Sequence, residues 1–158
     1  MTEIQRIVDQ LHRAFAGEAW HGPAVMEILE GITPEVAAAR PFIGTHSIWE
    51  ITLHIAAWVN ACRSRLGGER AQLSDAEDWP EVRQANEQSW EQAKELLRQS
   101  HQELCGAVSE LDESRLNQPI IEGMSSVYVT LHGVIQHSLY HAGQIAILKK
   151  VSTEQERK

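Results

Sequence analysis

The segment LHGVIQHSLYHAGQIAIL, residues 131–148, organises the fold and the candidate site of this chain. Its apolar residues recur at helical spacing, which predicts one long helix. His137 and His141 stand four residues apart, so both rings leave the same face of that helix, one turn apart. The other residues on this face, which is the predicted buried face, are Thr130, Val134, Gln144 and Leu148.

Two imidazoles on a buried face need polar partners, because burying an unpaired polar group costs several kcal/mol. A metal ion is one such partner, since neutral imidazole is the commonest protein ligand for zinc, nickel or iron(II). With 8 histidines in 158 residues, a pair at this spacing also arises by chance about 0.4 times. The alternative is two core histidines that hydrogen-bond to carbonyls or to each other. A third ligand from another helix must decide between the two interpretations.

The rest of the chain predicts three further long helices and no strand. Capping boxes at Thr2 and Ser47 mark two of the helix starts. The four long helices are predicted over residues 2–17, 47–67, 85–111 and 125–151. One or two short helices are expected in the broken segment 18–44, and residues 69–84 are predicted to be loop. Four amphipathic helices favour an all-α four-helix bundle, here with one or two short extra helices and long crossover connections.

Length and composition indicate one ordinary domain. A chain of 158 residues with 42% hydrophobic and 23% charged residues is typical of a globular protein. We therefore expect a single domain over residues 1–158, with a frayed tail at 152–158. The net charge of -8, without a basic cluster, argues against binding to nucleic acid or to an anionic membrane surface.

The cysteines and the N-terminus predict a cytoplasmic protein. Cys62 and Cys105 form no CxxC and no zinc-ribbon pattern, so buried free thiols are expected, which suits a reducing compartment. The N-terminus lacks the apolar core of a signal peptide, and no stretch approaches the ~18 apolar residues of a membrane span.

A candidate third ligand lies on the second long helix. His54 is on the flank of the apolar face of that helix, beside Ile51 and Trp58. A bundle brings inward side chains of facing helices together at one level, so His54 could meet His137 and His141. Three imidazoles leave positions on a metal open, a pattern that is catalytic more often than structural.

Two segments carry a resemblance to a known family. Residues 46–58, HSIWEITLHIAAW, and residues 132–145, HGVIQHSLYHAGQI, resemble the DinB-like (YfiT-like) metal-dependent four-helix-bundle proteins. The resemblance extends over nearly all of residues 10–150. It implies a divalent metal held by three histidines, which correspond here to His54, His137 and His141. Nitrogen ligands alone leave zinc, nickel, iron and manganese open.

The same resemblance has implications for activity and assembly. Members of this family are often homodimers, and some relatives are thiol-dependent transferases or isomerases. It therefore implies a small-molecule substrate, a low-molecular-weight thiol as a second reactant, and a homodimer. Position 138 is Ser, so the general base of the His-Glu-x-x-His zinc proteases is missing and peptide hydrolysis is disfavoured.

Three further residues are candidates for the substrate or for support of the ligands. Glu50 lies one turn before His54 and could accept its second ring N–H, although the capping box at Ser47 also explains it. Gln144 could contact water or substrate at the metal, or hydrogen-bond to the backbone. His21 could line the mouth of the site or lie in a surface loop. No catalytic residue is assigned.

The remaining histidines are predicted to stay outside the metal site. His46 precedes a helix cap and is expected to be solvated. His101 faces the bundle and is expected to be a hydrogen-bonded core or interface residue. His132 points away from the face that carries His137 and His141.

Three functions are compatible with these features. The first is a metal-dependent enzyme that activates water or an external thiol against a small electrophile, as a hydrolase or a thiol transferase. The second is a non-catalytic metal-binding module for stress response or protein interaction. The third is a metal-free bundle with a histidine-lined cavity for a small molecule.

Overall fold

The computed structural model describes residues 1–156, and the side chains of residues 1–154. A 3-10 turn, Glu113–Arg115, precedes the last helix. The α-helices are α1 (Glu3–Ala16), α2 (Val25–Leu29), α3 (Pro34–Ala38), α4 (Ile48–Leu66), α5 (Asp75–Asp78), α6 (Glu87–Ser109) and α7 (Val127–Glu156). Residues 1–156 contain no strand, only an isolated bridge between Pro119 and Ser126. The predicted all-α fold is confirmed.

The four long helices form a bundle whose order places α4 beside α7. Both α1 and α4 pack against α6 and against α7, so α1 and α4 occupy opposite corners. The short helices cover the bundle: α2 packs on α1 and α7, α3 packs on α4, α6 and α7, and α5 packs on α4. Large, fully buried side chains come from all four long helices, among them Ile7, Ile55, Trp90, Leu104 and Ile145.

Helix starts follow the capping residues in the sequence. The side chain of Thr2 accepts from the backbone N–H of Gln5, and Ser47 does the same for Glu50, each closing the predicted capping box. Asn86 accepts from the backbone N–H of Ser89 at 2.9 Å and sets the start of α6. Each such cap contributes about 1 kcal/mol and fixes the register in which a helix leaves its connection.

Two predicted boundaries are corrected by the structure. Residues 69–84 are not entirely loop, because α5 forms within them, where the Glu77 carboxylate accepts from the backbone N–H of Ser74 at 2.8 Å. The last helix does not end at residue 151, because α7 continues to Glu156 and Ser152 is buried; fraying of the tail stays a prediction. Residues 157–158 lie outside the described part of the chain. Among the described residues, no helix combines the length and apolar character needed to span a bilayer.

Candidate metal centre

Three histidine rings converge where α4 packs against α7. His54 comes from α4, and His137 and His141 come from successive turns of α7. The Nε2 atom of His137 lies 3.0 Å from that of His54 and 3.1 Å from that of His141. The ring planes are inclined to one another at 48–77°, so the rings point nitrogen atoms at a common space and do not stack. His54 and His141 are buried.

The outer nitrogen of His54 is held by Asp78, the last residue of α5. Its Nδ1 lies 2.7 Å from the backbone oxygen of Asp78 and 3.1 Å from Oδ1 of the same residue. The indole N–H of Trp58 donates to Oδ1 of Asp78 at 2.6 Å and fixes the carboxylate. Because both Asp78 atoms are acceptors, Nδ1 of His54 carries the proton. Its Nε2 therefore presents a lone pair to the centre.

The outer nitrogen of His141 is held in the same way by Gln144. Nδ1 of His141 lies 2.6 Å from Oε1 of Gln144, an acceptor, so this ring also presents the Nε2 lone pair inwards. The lone pairs of His54 and His141 both face Nε2 of His137, which carries at most one proton. One N–H cannot satisfy two buried acceptors well, whereas a cation at the point of convergence satisfies all three nitrogens.

Distances and protonation agree with a divalent ion. Two nitrogens bound to one ion at about 2.0–2.1 Å lie about 2.8–3.4 Å apart for angles between 90° and 109°. The observed separations of 3.0 and 3.1 Å fall in that interval. Burial, together with the neighbouring His141 and His54, lowers the pKa of His137 to about 4. Burial also lowers the pKa of His141. Both rings are therefore neutral at pH 7, the form that binds metal.

A second contact to His54 comes from Trp79, which follows Asp78. The Trp79 indole lies between two imidazoles, with ring centroids 3.9 Å from His54 and 3.5 Å from His46, and it is nearly parallel to both. Asp78 and Trp79 together restrain the position and the rotation of the His54 ring. The ring of His46 is thus packed on Trp79, and the prediction that it is simply solvated is only partly met.

Asp78 and Trp79 are the functional candidates that sequence reasoning missed. They lie in the connection between α4 and α6, which carries no long apolar periodicity. One signal was present: Ser74 and Glu77 have the spacing of a capping box and mark the start of α5 just before these two residues. No local pattern, however, indicates that α5 folds back onto a histidine 24 residues earlier.

The other candidate residues are distributed as follows. Of the two roles weighed for Glu50, the structure shows the capping one: its carboxylate accepts from the backbone N–H of Ser47 at 2.8 Å and pairs with Arg40. Asp78, not Glu50, occupies the second nitrogen of His54. His21 is exposed and lines a separate cavity with Arg13 and Ile135. Gln144 lies at the centre, bonded to His141 and not to the backbone.

A cavity of about 400 Å³ opens beside His141. Trp79 and Gln144 form part of its wall, so two of the three residues that hold metal-site histidines also face this space. Most of the remaining wall is apolar and includes Phe42, Tyr140 and Ile147. A small molecule in this cavity would lie directly against a ring of the histidine cluster.

The fold and the cluster define an all-α bundle with a candidate three-histidine metal centre. A family model described as DinB superfamily matches residues 19–145, well over half of the chain. The chain therefore belongs to the DinB superfamily. No curated protein and no solved structure matches it.

Proposed function

We propose that the protein is a metal-dependent enzyme in which His54, His137 and His141 hold one divalent ion. In this proposal, water or an external thiol attacks a small electrophilic molecule, in a hydrolase or thiol S-transferase reaction. The observation that carries the proposal is the convergence of three Nε2 atoms, two of them fixed as lone-pair donors by Asp78 and Gln144. Membership of the DinB superfamily supports it.

Each residue around the centre has a distinct task in this proposal. When bound, the ion supplies Lewis acidity, which lowers the pKa of a water or thiol ligand and makes it nucleophilic near pH 7. Asp78 and Gln144 hold the tautomers of His54 and His141, and Trp79 restrains the His54 ring. Zinc, nickel, iron and manganese are all compatible with three imidazoles.

The composition of the cavity wall favours an external nucleophile. Among the described side chains, no cysteine, lysine or carboxylate lines the cavity beside His141. The two thiols lie elsewhere, and burial raises the pKa of Cys62 to about 12 and that of Cys105 to about 11, which keeps both protonated. The attacking group would therefore have to enter from solution, as water or as a small thiol.

The alternative is a non-catalytic metal-binding module for stress response or protein interaction. Exposed apolar side chains near the cavity favour it, because such side chains often mark a binding surface. Ile43 is fully exposed, and the large side chains of Tyr140 and Phe42 are also exposed. This module would bind the same ion with the same histidines, but turn over no substrate.

Metal analysis and an activity panel test the proposal. Purified protein is expected to hold about one equivalent of a divalent metal, which His137→Ala and His54→Ala should abolish. His21→Ala is the matched control, because His21 is exposed and outside the cluster. Absence of metal from the wild type, or full occupancy in His137→Ala, would reject the metal centre.

Activity separates the enzyme from the module. The metal-loaded protein is assayed with model electrophiles in the presence of several small thiols, and with a set of esters and amides. Turnover that disappears in His54→Ala and persists in His21→Ala supports the enzyme. Turnover that survives His54→Ala contradicts a metal-centred reaction. Absence of turnover with every thiol and electrophile combination and with every ester and amide favours the module.

We further propose a cytoplasmic homodimer. The two free cysteines support a reducing compartment. The resemblance to DinB-like proteins, which are often homodimers, supports self-association. Sedimentation equilibrium tests the dimer: a mass of one chain across the micromolar range would reject it.

A further inference from the structure

We infer that the cavity beside His141 takes a mainly apolar molecule that carries no positive charge and presents a hydrogen-bond acceptor to the side-chain amide of Gln144. The inference rests on the proposed function, because it names the substrate class of that same site. Three properties of the cavity carry it: the apolar wall, the lack of charged side chains, and the direction in which the Gln144 amide must point.

The wall of the cavity is built mainly from hydrocarbon and aromatic surface. Ile51 from α4 and Leu148 from α7 form the buried side, and Phe42, Tyr140 and Ile147 form the mouth. The volume of about 400 Å³ lies in the range of small-molecule sites. A ligand with apolar surface would therefore gain free energy by leaving water for this wall.

The wall offers no partner for a charge. Within residues 1–154, whose side chains the structure describes, no lysine, arginine, aspartate or glutamate lines the cavity. The hydroxyl of Thr45 donates to the backbone oxygen of Phe42 at 2.9 Å, so its proton is already engaged. A cationic ligand would lose hydration here without an opposite charge and would lie near the bound divalent ion, a like charge, which is costly. A ligand without positive charge avoids that cost.

Gln144 supplies one oriented donor. Its Oε1 accepts from Nδ1 of His141 at 2.6 Å, and this polarity follows from the ring, because a His141 that binds an ion through Nε2 carries its proton on Nδ1. The NH₂ group of Gln144 is then left for the cavity, and no described residue accepts from it. A ligand atom placed there must be an acceptor, such as a carbonyl oxygen.

Two probes of equal size test the inference on metal-loaded protein. 4-Phenylbutan-2-one is neutral and carries a carbonyl, whereas 4-phenylbutan-2-amine has the same number of non-hydrogen atoms and, protonated at pH 7, a positive charge. Binding is measured by ligand-observed NMR and by tryptophan emission. The ketone is expected to bind at least about tenfold more tightly than the amine. Equal or tighter binding of the amine would overturn the inference.

Substitutions at Gln144 test the donor. Gln144→Glu keeps an acceptor for His141 but replaces the NH₂ group with an anionic oxygen, so ketone affinity should fall about tenfold while the metal is retained. Gln144→Met removes both groups at similar volume and should weaken the ketone about fivefold. Unchanged ketone affinity in both variants would overturn the role of Gln144.

Substitutions on α7 locate the ligand. Ile147→Asp puts a charge at the mouth, and Val129→Asp puts the same charge on an equally exposed position of α7 outside the cavity. Ketone binding should drop at least about tenfold in the first and stay unchanged in the second. If the ketone never binds and Ile147→Asp instead dissociates a dimer, the mouth of the cavity around Ile147 is an interface between copies of the chain, and the inference fails.

Metal content, measured in the same samples, separates this inference from the proposed function. Selective ketone binding by protein without bound metal would refute the proposed function and support the ligand class. Stoichiometric metal without selective ketone binding would leave the metal centre intact and refute the ligand class.

Discussion

Nδ1 of His54 lies 2.7 Å from the backbone oxygen of Asp78, although the two residues belong to helices separated by a polar connection. Oδ1 of Asp78 lies 3.1 Å from the same nitrogen and accepts from the indole of Trp58 at 2.6 Å. The four-residue helix α5 thus fixes the tautomer and the direction of one ring of the histidine cluster.

Removal of the Asp78 carboxylate should weaken metal binding without abolishing it. In Asp78→Ala the backbone oxygen still accepts from His54, so the tautomer persists, but the carboxylate no longer raises the basicity of the ring. Outer hydrogen-bond partners of this kind are worth about 10–100-fold in metal affinity, and the lower end is expected here. Competition with a chromophoric chelator measures the change. Glu81→Ala, an exposed carboxylate nearby, is the control, and equal losses in both variants would argue against a specific role.

Trp79 should report metal binding through its fluorescence. Its indole lies 3.9 Å from the His54 ring, so an ion that draws electron density from this ring changes the environment of the indole. Addition of metal to the stripped protein should alter the emission, and Trp79→Phe should remove most of that change. Trp20→Phe should not, because Trp20 is fully exposed. An undiminished signal in Trp79→Phe would assign the change to another tryptophan.

Glu50 should matter for stability and not for metal affinity. Its carboxylate closes the capping box of α4 and pairs with Arg40, and it makes no hydrogen bond to His54. Glu50→Gln should therefore lower the free energy of unfolding by about 1 kcal/mol and change metal affinity by less than about twofold. Urea unfolding and chelator competition on the same preparation measure the two effects. A tenfold loss of metal affinity would restore Glu50 as a partner of the ligands.

His101 should make the protein less stable in mild acid. It is buried, stacks on Phe15 with ring centroids 3.9 Å apart, and lies 3.4 Å from the sulfur of Cys105. Burial, together with the nearby His12, lowers the pKa of His101 to about 4. Between about pH 6.5 and 4 the unfolded chain therefore binds a proton that the folded chain does not, and stability falls as the pH falls.

The variant His101→Phe isolates this effect. It keeps an aromatic ring against Phe15 and removes the titrating group. Relative to the wild type, it should lose about 2–3 kcal/mol less stability between pH 7 and pH 4.5. Urea unfolding of both proteins at the two pH values measures the difference, with the exposed His21→Phe as control. Identical pH dependence in the wild type and His101→Phe would contradict a buried neutral His101.

The long helices and the histidine cluster could be predicted from the sequence for a physical reason. Caps such as Thr2 and Ser47 act over three residues, and the spacing of His137 and His141 acts over one turn, so local pattern carries both. Bundle geometry made His54 a candidate partner, the resemblance implied that it is a ligand, and the packing of α4 on α7 brings the three rings together.

The support around the cluster depends on contacts that local pattern does not carry. Asp78 reaches His54 across 24 residues, through a helix too short to have an apolar period. Arg40 from another connection pairs with Glu50, and the capping box holds the Glu50 carboxylate at Ser47, so that it does not bond to His54. The predicted end of the last helix at residue 151 was too early for a related reason. A charged terminal segment suggests a helix end, yet α7 continues to Glu156 and Ser152 is buried by tertiary packing that composition does not reveal.

The position of α5 has a practical consequence for anyone who redesigns this bundle. Surface connections are usually the first segments to be trimmed, grafted or replaced, because insertions there cost little free energy. Here the crossover from α4 to α6 holds Asp78 and Trp79 against His54 of the cluster. A shorter connection would therefore keep the four long helices but remove the contacts that orient the His54 ring.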